Sequence, residues 1–105
     1  MPAPNLTPPY AIEIVNYNIV EGTDPEAFLA ICRQVGEEFT SAQPGFLHRE
    51  IGQSDDGTWM IAATWQTADD ARNSIANIDN IPDMVKAYMS MINRDTLTRA
   101  IFDIV

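Results

Sequence analysis

One pair of side chains in this sequence stands out for acid–base chemistry near neutral pH. His48, the only histidine, is followed at i+2 by Glu50. On an extended segment that spacing points both side chains the same way. An imidazole beside a carboxylate is a competent general base near neutral pH. The same pair also suits an interface on an edge strand, where charge discourages sheet-to-sheet aggregation. Asn16 and Asn18 alternate with Val15, Tyr17 and Ile19. Asparagine is disfavoured in strands and needs partners there. Both could bind substrate or hold an oxyanion, or they could bond to backbone or to a second chain. Trp65 offers a broad apolar surface and one N–H donor, which suits either a pocket wall or plain core. Tyr88 and the methionines at 84, 89 and 91 keep helical spacing, which suits core or an adaptable apolar wall. The single cysteine, Cys32, excludes an internal disulfide and lies in an apolar stripe, where it packs as a small hydrophobe. One histidine and one cysteine remote in sequence make no usual zinc site. The five glycines fit no nucleotide fingerprint. The expectation is therefore no metal and no cofactor.

The elements that must position these residues are legible. Residues 1–9 carry four prolines and read as an extended or unstructured arm before a domain spanning 10–105. Tyr10 to Val20 reads as a strand. Asp24 then caps a helix with Pro25 at its first position, and Phe28, Cys32, Val35 and Phe39 line one face. That helix is expected to end near Ala42. Phe46–Ile51 and Trp59–Trp65 read as a hairpin around Asp56-Gly57, a strong two-residue turn signal. With those two residues as the turn, Asp55 faces Thr58 and His48 faces Trp65. Opposed residues share one sheet face, so His48, Glu50 and Trp65 would lie together. Thr67 to Asp70 resembles a capping box, and the helix after it would bury Ala71, Ile75 and Ile78. Asn80 to Asp83 breaks it, a second helical piece runs from Met84 to Ile92, and Thr96 to Val105 reads as the last strand. The order β-α-β-β-α-β is the ferredoxin-like pattern, with an antiparallel sheet and the helices on one face. The other face would carry Phe46, Trp59, Ile61, Ala63 and Trp65. An apolar face of that extent marks a ligand site or an interface, and a homodimer packing two sheets together is the simplest cover.

Composition narrows the function. With 46% hydrophobic residues the chain is an ordinary globular one. A net charge of -9 excludes a nucleic-acid binder and disfavours anionic membranes. Without an apolar leader or a spanning segment, the expected location is cytoplasmic.

Several segments resemble the antibiotic-biosynthesis-monooxygenase-like group of the dimeric α/β-barrel superfamily. They are Gln43-Pro44-Gly45-Phe46-Leu47, Asp56-Gly57-Thr58, Trp65-Gln66-Thr67, and Met91-Ile92-Asn93-Arg94-Asp95 leading into Ile101-Phe102-Asp103-Ile104-Val105. The resemblance implies a homodimer of ferredoxin-like subunits with a pocket between sheet and helices or within the barrel. It implies no metal or flavin in the members that oxidise aromatic polyketides. A tryptophan late in their third strand helps bind substrate, and Trp65 matches it. Their asparagine four residues earlier is replaced here by Ile61. Haem-degrading members use a histidine on the second helical segment, and residues 67–92 contain none.

The leading expectation is a cofactor-independent monooxygenase acting on a small apolar or aromatic molecule held against Trp65. His48, oriented by Glu50, would remove an acidic proton, and Asn16 or Asn18 would stabilise the oxyanion. The alternatives are an isomerase using the same groups, or a non-catalytic ligand-binding or structural homodimer.

Overall fold

The computed structural model describes residues 6–74 and 81–105. Its elements are β1 (Tyr10–Ile19), α1 (Pro25–Glu38), a short 3-10 turn (Thr40–Ala42), β2 (Phe46–Gln53), β3 (Trp59–Trp65), α2 (Ala68–Asn73), α3 (Asp83–Ser90) and β4 (Ile92–Ile104). The strands form one antiparallel sheet in the order β2-β3-β1-β4. This is the ferredoxin-like arrangement expected from the element order.

Local chemistry explains most boundaries. Asp24 accepts the Glu26 N–H at 3.2 Å and starts α1 ahead of Pro25. Thr67 does the same for α2, accepting from Asp70 N–H at 3.1 Å. Helix α1 stops at Glu38, short of the expected Ala42. The Ser41 hydroxyl and the Gln43 amide donate to the carbonyls of Glu37 and Phe39, which satisfies the helix end locally and lets the chain tighten into the 3-10 turn. Strand β4 begins at Ile92, earlier than Thr96, because the chain bulges between two stretches of pairing with β1. At that bulge the Thr96 hydroxyl accepts the Asn18 N–H at 2.8 Å. Ile75 and Ile78, expected on the second helix, lie outside the described residues.

The hairpin corrects the expected register. Gln53 pairs with Trp59, Glu50 with Ala62, and His48 with Thr64 rather than with Trp65. The turn is not a two-residue one. Gly57 N–H donates to the Ser54 carbonyl at 3.0 Å, and Ser54 N–H to the Thr58 carbonyl at 2.9 Å. Gly57 has φ +89° and among the described residues no non-glycine has positive φ, so Asp56 cannot be half of a type I′ turn. The result is a three-residue loop, Asp55-Asp56-Gly57, with glycine in the left-handed position.

A slip of one residue exchanges sheet faces. Trp59, Ile61, Ala63 and Trp65 pair with Tyr17, Val15, Glu13 and Ala11. All of these point at the helices, where Tyr17, Trp59 and Ile61 pack with Phe28 and Cys32 of α1, and Trp65 and Ala63 with Ala71 of α2. Trp59, Ile61, Ala63 and Trp65 are therefore core, not the bare face. Phe46 joins them through a second bulge and meets the Trp65 ring edge-on at 5.6 Å. The face away from the helices holds His48 and Glu50 of β2, Met60 and Ala62 of β3, Ile12, Ile14 and Asn16 of β1, and Ala100 and Phe102 of β4. It is still largely apolar, and Phe102 is 53% exposed on it.

Candidate functional site

Between the sheet and the helices lies a cavity of about 250 Å³. Val15, Ile61, Ala63 and Trp65 form its sheet wall, and Val35, Phe39, Val85 and Met89 its helical wall. Set into this apolar lining are two polar groups, one at each side of the core.

The first is built on Glu13. Strand alternation places this carboxylate on the helix-facing side, between Ala11 and Val15, and its side chain is only 10% exposed. Small residues make room for it: Ala63 opposite on β3 and Ala71 above it on α2 are both buried. A carboxylate in such a place is costly unless paired and hydrogen-bonded. Trp65 Nε1 donates to Glu13 Oε1 at 3.1 Å, and Arg99 Nε to Oε2 at 2.5 Å. Arg99 also donates from Nη2 to the Ala71 carbonyl at 3.0 Å, tying β4 to α2. The indole is thereby fixed in orientation by a charged partner.

The second group surrounds Cys32. The Tyr17 and Tyr88 hydroxyls are 2.7 Å apart, and Tyr17 lies 4.0 Å from Cys32 Sγ. Arg49 donates from Nη1 to the Cys32 carbonyl at 2.9 Å and from Nη2 to Sγ at 3.5 Å. It reaches across α1 because Gly36 has no side chain: a Cβ there would overlap the Arg49 guanidinium. Burial is the main cause that holds the Tyr17 and Tyr88 phenols above the usual range. For Tyr17 the neighbouring Tyr88 and Cys32 add to it, while for Tyr88 Cys32 adds and the Tyr17 hydrogen bond and Arg49 oppose. Both are neutral hydrogen-bonding groups at ordinary pH.

The expected site residues divide between the two sheet faces. Trp65 lines the cavity. His48 and Glu50 come together, with Nε2 3.3 Å from Oε1, but on the opposite face. Their approach is not aligned as a hydrogen bond, and the buried His48 Nε2 has no hydrogen-bond partner among the described residues. Asn16 shares the His48 face but stands level with Met60 and Gly52, two strands away from β2. Asn18 sits at the β4 bulge and is exposed. No side chain among His48, Glu50, Asn16 and Asn18 lines the cavity beside Trp65. Glu13, Arg49 and Arg99 were missed. Glu13 had a signal, since it is the one charge among the inward-facing residues of β1, and a buried carboxylate asks for a cation on a neighbouring strand. The residues that answer it, Arg99 and Trp65, are 86 and 52 positions away in sequence. Among the described residues no three His, Cys, Asp or Glu side chains gather as metal ligands, and no helix is long and apolar enough to cross a membrane.

Comparison with known proteins gives a consistent picture. The family model described as antibiotic biosynthesis monooxygenase matches residues 11–77. No curated protein matches the sequence. Among solved structures, a variant of SnoaB, a cofactor-independent oxygenase from Streptomyces nogalater, is similar with a TM-score of 0.70 at 16% identity, covering 90% of this chain and 92% of that one. A candidate antibiotic biosynthesis monooxygenase from Bordetella bronchiseptica gives 0.74 at 17% identity, covering 93% and 99%. A conserved protein from Methanosarcina mazei Go1 gives 0.65 at 17%, covering 89% and 91%. At these identities the structural likeness speaks for the fold.

Proposed function

The chain belongs to the antibiotic biosynthesis monooxygenase family, and on that premise we propose that it is a cofactor-independent oxygenase of a small apolar or aromatic molecule bound against Trp65. One observation carries the reading: an apolar cavity beside Trp65 whose wall also holds the Glu13–Arg99 pair. A ligand site of this kind combines a mostly apolar lining with a few convergent polar groups. An apolar cavity of roughly 150 Å³ is enough for benzene, so 250 Å³ suits one or two fused rings. The similarity to SnoaB, described as a cofactor-independent oxygenase, points the same way.

In this reading the substrate is an enolisable ketone or an electron-rich phenol. Its ring lies on Trp65. An α C–H bond of the ketone, or the O–H bond of the phenol, breaks, the proton passes to Glu13, and the electron pair is shared between the substrate oxygen and the reacting carbon. That pair forms a C–O bond to dioxygen. The resulting peroxide takes up a proton; the remaining C–H bond on that carbon then breaks together with the O–O bond, its electron pair forms the C=O bond and water leaves, so the substrate supplies all the electrons. Glu13 is the acceptor because it is the one carboxylate among the described cavity-lining residues. Arg99 holds it in place, and once Glu13 is protonated the guanidinium charge is balanced by that of the substrate anion.

The reading includes a homodimer. A second copy would cover the apolar face of Ile12, Ile14, Met60, Ala62 and Phe102, and His48 with Glu50 would then be an interface pair rather than the catalytic base.

Oxygen uptake in a sealed cell, with a panel of one- and two-ring enolisable ketones and phenols, tests the enzyme. Glu13→Gln is expected to lower uptake by about 10²- to 10⁴-fold, the usual contribution of a general base. Undiminished uptake by a folded Glu13→Gln protein would remove Glu13 from the mechanism. Turnover without oxygen consumption would replace the oxygenase with an isomerase.

A further inference from the structure

The cavity holds two guanidinium groups in different electrostatic states. Arg99 is neutralised by Glu13. Arg49 is not: among the described residues no carboxylate lies within 4.0 Å of it. Its two assigned hydrogen bonds go to the Cys32 carbonyl and sulfur, neither of which carries a formal negative charge. An arginine has five N–H donors in a fixed fork. Two of them are occupied here, and the group borders both the cavity and an outer groove that it shares with Arg33 and Glu37. A half-buried cation beside apolar walls is unfavourable unless an anion meets it.

The fold keeps Arg49 where it is. Gly36 leaves the space its guanidinium occupies, so the side chain lies close against α1. Beside it stand the Tyr17 and Tyr88 hydroxyls, grouped around the same Cys32 sulfur. Within that phenol pair only one hydroxyl donates to the other. The second proton is left for another acceptor, and the only one assigned is the weak thiol contact at 4.0 Å. A guanidinium and a spare phenolic O–H facing one cavity are the elements of an anion subsite.

We propose that the Arg49, Tyr17 and Tyr88 end of the cavity binds an anionic oxygen, so that the ligand is an apolar ring bearing one ionised phenol, enol or carboxylate group. This rests on the cavity being the ligand site, as in the function proposed above, and it adds the ligand's charge and orientation. The ring lies along Trp65 and the apolar walls, and its charged oxygen points to Arg49.

Calorimetric titration of the whole chain with 2-naphthoate, 2-naphthamide and 2-naphthol tests it. Naphthoate is expected to bind about ten- to a hundredfold more tightly than the isosteric amide, the usual range for a charge-assisted hydrogen bond. Naphthol is expected to bind with release of its proton, seen as buffer-dependent heat, if an ionised phenol is accepted; tight naphthoate binding without that release identifies the carboxylate as the fitting group. Arg49→Gln is expected to abolish the preference for naphthoate while leaving amide affinity in place, and Arg49→Lys to keep part of it. Equal binding of naphthoate and amide by the unaltered protein overturns the anion subsite, and this comparison needs no variant to fold. A preference that survives in Arg49→Gln overturns the role of Arg49. Failure of all three probes to bind overturns the cavity as a ligand site, and the proposed function with it.

Discussion

Three residues decide what the cavity can do, and each does so through a neighbour rather than by its own type. Glu13 is an unremarkable carboxylate until β-sheet register sets it between Trp65 and Arg99. Tyr17 and Tyr88 become a buried pair only when β1 meets α3. That pair makes a pH prediction. Its phenols keep their protons in the folded chain above pH 10, where those of the unfolded chain release them. The folded state then binds more protons, so stability is full below pH 10 and falls as pH rises beyond it. Urea midpoints measured from pH 8 to 11 are expected to fall at the alkaline end. In a Tyr17→Phe, Tyr88→Phe double variant that fall is expected to shrink, and an equally steep fall in the variant would assign it to other groups. His48 shows the converse case. Its pairing with Glu50 was readable from spacing alone, since period-two alternation needs no tertiary information, and the two do meet at 3.3 Å.

At the scale of elements, the hairpin carries the main lesson. The strands, the loop and the glycine were legible, and the register was not. Both a two-residue turn and a three-residue loop place Gly57 where φ is positive. They differ in whether Asp56 is also left-handed, and side-chain bonds tip that balance. Asp56 accepts from the Thr58 N–H at 3.0 Å and from the Ser54 hydroxyl, which favours the longer loop. The consequence is large because one residue of slip moved four side chains of β3 from the bare face to the core. Gly57→Ala is expected to cost about 1–2 kcal/mol in urea unfolding, since a left-handed alanine is strained. No atom lies within 4 Å of the added Cβ, so the cost is one of backbone alone. Gly57→Asn is expected to recover much of it, because asparagine tolerates that conformation. A neutral Gly57→Ala would mean that the loop relaxes to another shape.

For the whole molecule, the question is what covers the sheet face that the helices leave open. If a second copy does, Phe102→Asp places a charge within an apolar contact and is expected to yield monomer by light scattering at micromolar concentration. A dimer unaffected by Phe102→Asp would place the contact elsewhere. Composition, the capping residues and the apolar periodicity of β1, α1 and β3 were enough to determine the element order and the ferredoxin-like fold, while the family resemblance rested on short segments such as Gln43–Leu47 and Trp65-Gln66-Thr67. Those features are local, carried by spacings of two to four residues and by caps. The site was not local. It depends on which face of β3 points inward, on β4 placing Arg99 against Glu13, and on Gly36 leaving room for Arg49 to cross α1. Each of these is a meeting of residues remote in the chain, set by register and packing, and so only the tertiary structure could place Trp65 against the Glu13–Arg99 pair and His48 on the opposite sheet face.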